Sequence, residues 1–96
     1  MANTPEGQTH YKLVNANEEL VQRNVRRQME QTDMCQCEKC FLDVCAIVFN
    51  KGFAHFATTK EGELMAKIPD MNTTYHASLI VAITEAIELV RRSPKH

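Results

Sequence analysis

Residues 34–40 read MCQCEKC, the most specific motif in the sequence. It places Cys35, Cys37 and Cys40 in C-x-C-x-x-C spacing, on a turn that leads into a helical pattern. Three thiolates at this spacing suit tetrahedral zinc, and a helix N-terminus lowers the pKa of a thiol, which favours the thiolate form that zinc binds. We therefore predict a structural zinc site at the start of the second helix. The competing interpretation is that the three cysteines fill an apolar core.

Cys45 is the fourth candidate zinc ligand. A disulfide among four cysteines that all fall within residues 35–45 would close only a short loop and would constrain the unfolded chain little, so metal ligation explains the cluster better. If the helix already includes Cys40, however, Cys45 follows five residues later and lies about 140° around the helix axis. Cys45 would then belong to the core, and His55, His76 or a water would take the fourth position.

Apolar residues at helical spacing predict three helices around this segment. The first follows a flexible polar tail of residues 1–12, begins near an Asn15 cap and reaches Met29. The second covers residues 38–50 and stops at Gly52. The last runs from the cap at residues 72–74 to about residue 92. We expect one domain over residues 13–93, because a chain of 96 residues builds one core.

A β-hairpin is predicted between the second and last helices. Residues 53–59 and 63–68 contain β-prone side chains, and residues 60–62 resemble a turn. The predicted class is therefore α+β, mainly helical, with three helices and one short hairpin. A lone hairpin is marginally stable in water, so it must pack on the helices or pair with a second chain, and a homodimer is a reasonable expectation.

Composition excludes several classes of protein. The net charge of -1 argues against binding duplex DNA through overall charge. The N-terminus lacks the apolar stretch of a secretory signal, and the longest apolar run, residues 44–49, is far shorter than the roughly 20 residues of a membrane span. We expect a cytoplasmic protein with no membrane span. The sequence contains no H-E-x-x-H, phosphate-binding glycine loop or G-x-S-x-G motif, so we predict no catalytic residues and no enzyme activity.

One face of the first helix is basic. Arg23, Arg26 and Arg27 are spaced three and four residues apart, so their guanidinium groups lie together. Such a cluster is either a solvated face or a site for phosphate groups. Lys60 and Lys67, beside the predicted hairpin, are the other candidate phosphate ligands.

Several stretches resemble a known family, the late competence development proteins called ComFB. The similarity covers about residues 15–92 and is carried by residues 17–21 (NEELV), 35–40 (CQCEKC), 42–44 (LDV), Ala46, Asn50, 61–64 (EGEL) and 83–88 (ITEAIE). The cysteine segment with Asp43 is the specific part. One stretch differs, because the family usually has Leu-Pro-Pro where residues 49–56 read FNKGFAHF.

The resemblance implies a mainly helical homodimer with a structural zinc and a role in bacterial competence and type IV pilus biology. It also implies a receptor for a cyclic dinucleotide, with c-di-GMP as the expected ligand. The candidate contacts, chosen from their charge and not from a family motif, are Arg23, Arg26, Arg27, Lys60 and Lys67. The alternative is an adaptor that binds only an unknown protein partner and carries zinc for structure alone.

Overall fold

A computed structural model describes residues 11–66 and 73–93. The elements, in chain order, are strand β1 (Val14–Asn15), helix α1 (Glu18–Glu30), helix α2 (Glu38–Val48), a π-helical turn (Phe49–Phe53), strand β2 (Phe56–Ala57), helix α3 (Lys60–Ala66) and helix α4 (Thr73–Arg92). The mainly helical α+β class with a two-stranded antiparallel sheet is confirmed. None of the described helices combines the length and apolar character needed to cross a bilayer.

The core lies between α1, α2 and α4. Each helix contributes one apolar stripe, as helical spacing requires of a helix with one buried face. The fully or nearly fully buried side chains are Val21, Val25 and Met29 of α1, Cys40, Phe41, Val44, Cys45 and Val48 of α2, and Leu79, Ile83, Ala86, Ile87 and Val90 of α4. The predicted stripes of the second and last helices are confirmed, and the three-helix core holds the cysteine segment at one end.

The start of α1 differs from the prediction. Asn15 lies in β1 and is not the N-cap; the helix begins at Glu18, after Asn17. The Oδ1 atom of Asn15 accepts hydrogen bonds from the backbone N–H groups of Asn17 and His55. Val14 and Asn15 therefore pair with a distant strand and do not form the start of the first helix, where the apolar spacing places them.

The predicted hairpin, in which residues 53–59 pair with residues 63–68, is wrong because the first of these segments pairs with a different strand. β2 pairs with β1, in the register Val14 to Ala57 and Asn15 to Phe56, and residues 60–66 form helix α3, the fourth helix. The Oγ1 atom of Thr59 accepts a hydrogen bond from the N–H of Gly62, as an N-terminal cap does. Residues 67 and 68 of the predicted second strand lie outside the described part of the chain.

The end of α2 is close to the prediction. The helix ends at Val48, two residues before the expected position, and continues as the π-helical turn of residues 49–53. Gly52 has a φ of 105°, in the left-handed region that glycine occupies without steric cost. Gly52 is therefore the stop signal that the sequence predicted.

Replacing Gly52 tests this backbone requirement. Gly52→Ala is expected to lower the free energy of unfolding by about 1–2 kcal/mol, because a Cβ atom disfavours the left-handed conformation. No heavy atom lies within 4 Å of the added Cβ, so crowding does not contribute. Urea titration measures the change, and Asn50→Ala, an exposed replacement in the same turn, is the control. Equal midpoints for the two variants would contradict the prediction.

Candidate metal centre

The thiols of the MCQCEKC segment converge. The Sγ atoms of Cys35, Cys37 and Cys40 all lie within 4.8 Å of one another. Three sulfurs bound to one tetrahedral zinc at about 2.3 Å would be about 3.8 Å apart. Movements of about 1 Å would bring these sulfurs to that spacing, and the exposed Cys35 is free to make them because it lies on a loop. The donor set and its size fit zinc.

The start of α2 positions two of the three thiols. Cys37 is the N-cap residue of the helix, with extended backbone, and its Sγ atom accepts a hydrogen bond from the N–H of Cys40 at 3.4 Å. Cys40 follows in the first turn and is only 1% exposed. Cys35 lies on the preceding loop and faces solvent. The cluster therefore extends from the protein surface to the edge of the core.

The thiols of Cys37 and Cys40 have pKa values shifted in opposite directions. The backbone N–H of Cys40 lowers the pKa of the Cys37 thiol, because it donates to the thiolate. Burial raises the pKa of the Cys40 thiol, and the neighbouring thiols of Cys37 and Cys35 raise it further. A bound dication deprotonates a coordinating thiol outright. Cys37 is therefore better prepared than Cys40 to bind a metal as a thiolate, and a bound metal would deprotonate Cys40.

Cys45 is not a member of this thiol cluster. It is 3% exposed and packs with the core residues of the three helices. Burial raises the pKa of its thiol to about 11, and the smaller effect of Arg26 lowers it. The structure therefore places Cys45 as an apolar core side chain, as expected for a helix that already includes Cys40.

His55 and His76 lie at the other end of α4 from the thiols. The ring of His55 is 5.8 Å from that of Tyr75, in the first turn of α4. The cysteine segment lies near the last turn, since Asp43, in the following turn of α2, lines a groove with Val90 and Ser93. His76 and Arg91 are separated by about 22 Å of helix. Neither imidazole is brought to the three sulfurs.

The candidate phosphate ligands that the structure describes lie on separate parts of the surface. Arg23 and Arg26 line a groove between α1 and α2, where the guanidinium carbon of Arg26 lies 3.8 Å above the centre of the Phe41 ring. Glu19 and Glu38 also line this groove. Arg27 is exposed in the last turn of α1.

Lys60 lines a different depression, together with Lys12 and residues of β2. Lys67 lies outside the described residues. The arginines and Lys60 are therefore not brought into one site within this chain.

Two residues that the sequence analysis did not single out organise their surroundings. Asn17 is fully buried, and its Nδ2 atom donates to the carbonyl of Phe53 at 2.7 Å and to the Tyr75 hydroxyl at 2.5 Å. Gln36, between two of the cysteines, donates from its side-chain amide to the carbonyl of Met29 at 2.6 Å. Neither residue follows an apolar period, so only the tertiary structure identifies them.

Comparison with known proteins identifies a matching family and a similar solved structure. The family model described as late competence development protein ComFB matches residues 14–94. A structure of the late competence protein ComFB from Bacillus subtilis is similar, with a TM-score of 0.71 and 27% sequence identity, over 88% of this chain and 96% of that chain. No curated protein gives a significant match.

Proposed function

Because the chain belongs to the ComFB family of late competence development proteins, as its motifs predicted, we propose that it is a non-enzymatic, zinc-stabilised homodimeric receptor for the cyclic dinucleotide c-di-GMP. Its role would be in bacterial competence and type IV pilus biology. The observation that carries the proposal is the convergence of three thiols at the N-terminus of α2.

Structural zinc is the role that suits this donor set. Cys35 lies on the loop after α1, Cys37 is the N-cap of α2 and Cys40 is in its first turn, so a bound ion would fix that loop to the start of α2. Three anionic thiolates make a zinc ion a weak Lewis acid, which argues for structure and against hydrolysis. The fourth position would be filled by water or by a donor from another molecule.

The nucleotide part of the proposal rests on the α1–α2 groove. Arg23 and Arg26 can each present a planar fork of donors to a phosphate, the geometry that favours arginine at such sites. Arg26 lies over the Phe41 ring, so it would exchange this cation–π contact for a phosphate contact on binding. Glu19 and Glu38 in the same groove would repel a phosphate that approached elsewhere. The site would thus recognise phosphate only along its arginine side.

The homodimer is supported by apolar side chains around the small sheet. Phe56 of β2 is 61% exposed, and Leu64 and Met65 of the neighbouring helix α3 are exposed as well. A sheet of two strands with two residues each is marginal in water and gains stability when such side chains are covered. A second copy of the chain would cover them.

A double Arg23→Ala, Arg26→Ala variant tests the receptor proposal. We expect c-di-GMP to bind at least about tenfold more weakly, because a charge-assisted hydrogen bond contributes about 1.5–3 kcal/mol. Calorimetry at physiological salt measures the affinity, and native mass spectrometry counts subunits, zinc and nucleotide. Arg91→Ala plus Arg92→Ala, which removes the same charge from the end of α4, is the matched control.

Three outcomes of this experiment would count against the proposal in different ways. If both double variants weaken c-di-GMP binding equally, the nucleotide is attracted by the net charge of the protein and not by a specific site. Wild-type protein that ignores c-di-GMP would refute the receptor. A monomer in native mass spectrometry would refute the homodimer while leaving the zinc centre unaffected.

A second candidate function is an adaptor that binds only a protein partner. A groove between α2 and α4 is lined by Ala46, Ile47, Leu89 and Val90, and Leu89 is half exposed. Apolar surface of this kind suits a partner side chain. Specific binding of a partner that is unchanged by nucleotide and lost in Leu89→Lys would favour the adaptor over the receptor.

A further inference from the structure

We propose that Gln36 is a positioning residue for the metal centre. Its side-chain amide attaches the cysteine loop to the end of α1 and so holds the thiols of Cys35 and Cys37 close to that of Cys40. The inference rests on the zinc site of the proposed function and assigns a role to a residue that ligates no metal itself.

The Nε2 atom of Gln36 is surrounded by backbone carbonyls. It donates to the oxygen of Met29 at 2.6 Å, with longer contacts of 3.3 Å to Met34 and 3.5 Å to Thr32. The first distance is that of a good hydrogen bond, and the other two are at the weak end of the range. Because carbonyls only accept, the group that faces them must be the amide NH2.

The position of these carbonyls explains why a donor is needed. Met29 is the second-last residue of α1, where carbonyls lack partners within the helix and the helix dipole is negative. The N–H of Thr32 already donates to the Met29 oxygen, and the Thr32 hydroxyl donates to the oxygen of Gln28. Gln36 adds a donor from five residues beyond the helix C-cap, which ties the far side of the loop back to α1.

Because Gln36 lies between two cysteines, its hydrogen bond to Met29 also restricts the positions of their thiols. Gln36 lies between Cys35 and Cys37, so fixing its side chain on one side of the loop fixes where both neighbouring thiols can point. Cys40 is already fixed by burial in α2, whereas Cys35 lies on exposed loop backbone. Ordering a loop costs conformational entropy, and a loop that is ordered before the metal arrives does not add that cost to binding.

Two replacements of Gln36 test the anchor. Gln36→Met keeps a similar length without donors, and Gln36→Glu keeps the shape but points a carboxylate at carbonyl oxygens. We expect zinc affinity to fall about tenfold in each, as is typical when groups that orient ligands are removed. Gln31→Met and Gln31→Glu are matched controls, because Gln31 is exposed at the start of the same loop and its side chain makes no hydrogen bond among the described residues.

Zinc affinity is measured on the full chain by competition with a chromophoric chelator. Co²⁺ substitution adds a second readout, since the thiolate-to-cobalt absorption reports the number of thiolates and the d–d bands report tetrahedral geometry. We expect the Gln36 variants to show weaker binding and a changed cobalt spectrum, whereas a role limited to fold stability would change the melting temperature and leave the spectrum intact.

Tight zinc binding by the wild type together with unchanged affinity and spectrum in both Gln36 variants would overturn the inference and leave the zinc centre standing. Equal losses in the Gln31 variants would also overturn it, since they would show a general effect on the loop. Wild-type protein without bound zinc would refute the zinc centre and the positioning role together.

Discussion

Cys37→Ser is expected to abolish stoichiometric zinc binding and to lower the free energy of unfolding by about 3 kcal/mol or more, since structural zinc sites contribute directly to folding and supply about 10 kcal/mol in zinc-finger peptides. The three-helix core would retain part of the stability, so the loss is smaller than in a peptide that folds only with metal. Serine is well suited to separate the two roles of Cys37. Its hydroxyl can still accept the N–H of Cys40 as an N-cap, so the loss reports on the metal.

The measurement combines zinc content by native mass spectrometry with urea titration at equimolar zinc and in a chelator. Cys45→Ala is the matched control: we expect it to keep one zinc per chain, because Cys45 lies in the core and outside the thiol cluster. Loss of zinc from Cys45→Ala would instead place Cys45 among the ligands. An unfolding curve that is the same for Cys37→Ser and wild type, with and without chelator, would refute the structural role of the metal.

Ile83→Ala is expected to lower the free energy of unfolding by about 2–5 kcal/mol, as measured for buried aliphatic residues that are reduced to alanine. Ile83 is in the middle of α4 and is fully buried within the cluster that joins all three core helices. The replacement leaves a cavity that rigid helices on either side close only in part. For a domain of this size, a loss of that order lowers the melting temperature by roughly 10 °C or more.

Val81→Ala is the matched control for Ile83→Ala. Val81 precedes Ile83 by two residues in the same helix and is 57% exposed, so its replacement should change the free energy of unfolding by no more than about 0.5 kcal/mol. Thermal and urea unfolding of the zinc-loaded protein measure both variants. Similar losses in the two would contradict the core assigned to α4.

Long helices with a clear stripe could be predicted from the sequence, and the small sheet could not. In α4 the buried apolar residues repeat over about three turns, from Leu79 to Val90, so local pattern and tertiary packing agree. β1 and β2 are two residues long and pair across about 40 residues of chain, so no local pattern identifies the partner. The short segment of residues 60–66 forms a helix capped by Thr59, where the sequence pattern predicts a turn followed by a strand.

The same distinction applies to the candidate site. Cys35, Cys37 and Cys40 could be predicted as a group because their spacing and the following helix are local features. The Gln36 anchor and the position of Arg26 over Phe41 depend on how α1 and α2 pack, which no spacing specifies. Whether the arginines and Lys60 share one site was also a tertiary question, and the chain separates them.

The hydrogen bonds of Asn17 carry a consequence for the order of folding. They connect its side chain to Phe53 and Tyr75, which are 36 and 58 residues away. Helices α1 and α2 are joined by a short loop and can associate early, because closing a short loop costs little chain entropy. The bond to Tyr75 forms only once α4 has docked. The end of the molecule that carries the small sheet should therefore assemble last and unfold first. Such local unfolding would leave the helices at the cysteine end folded.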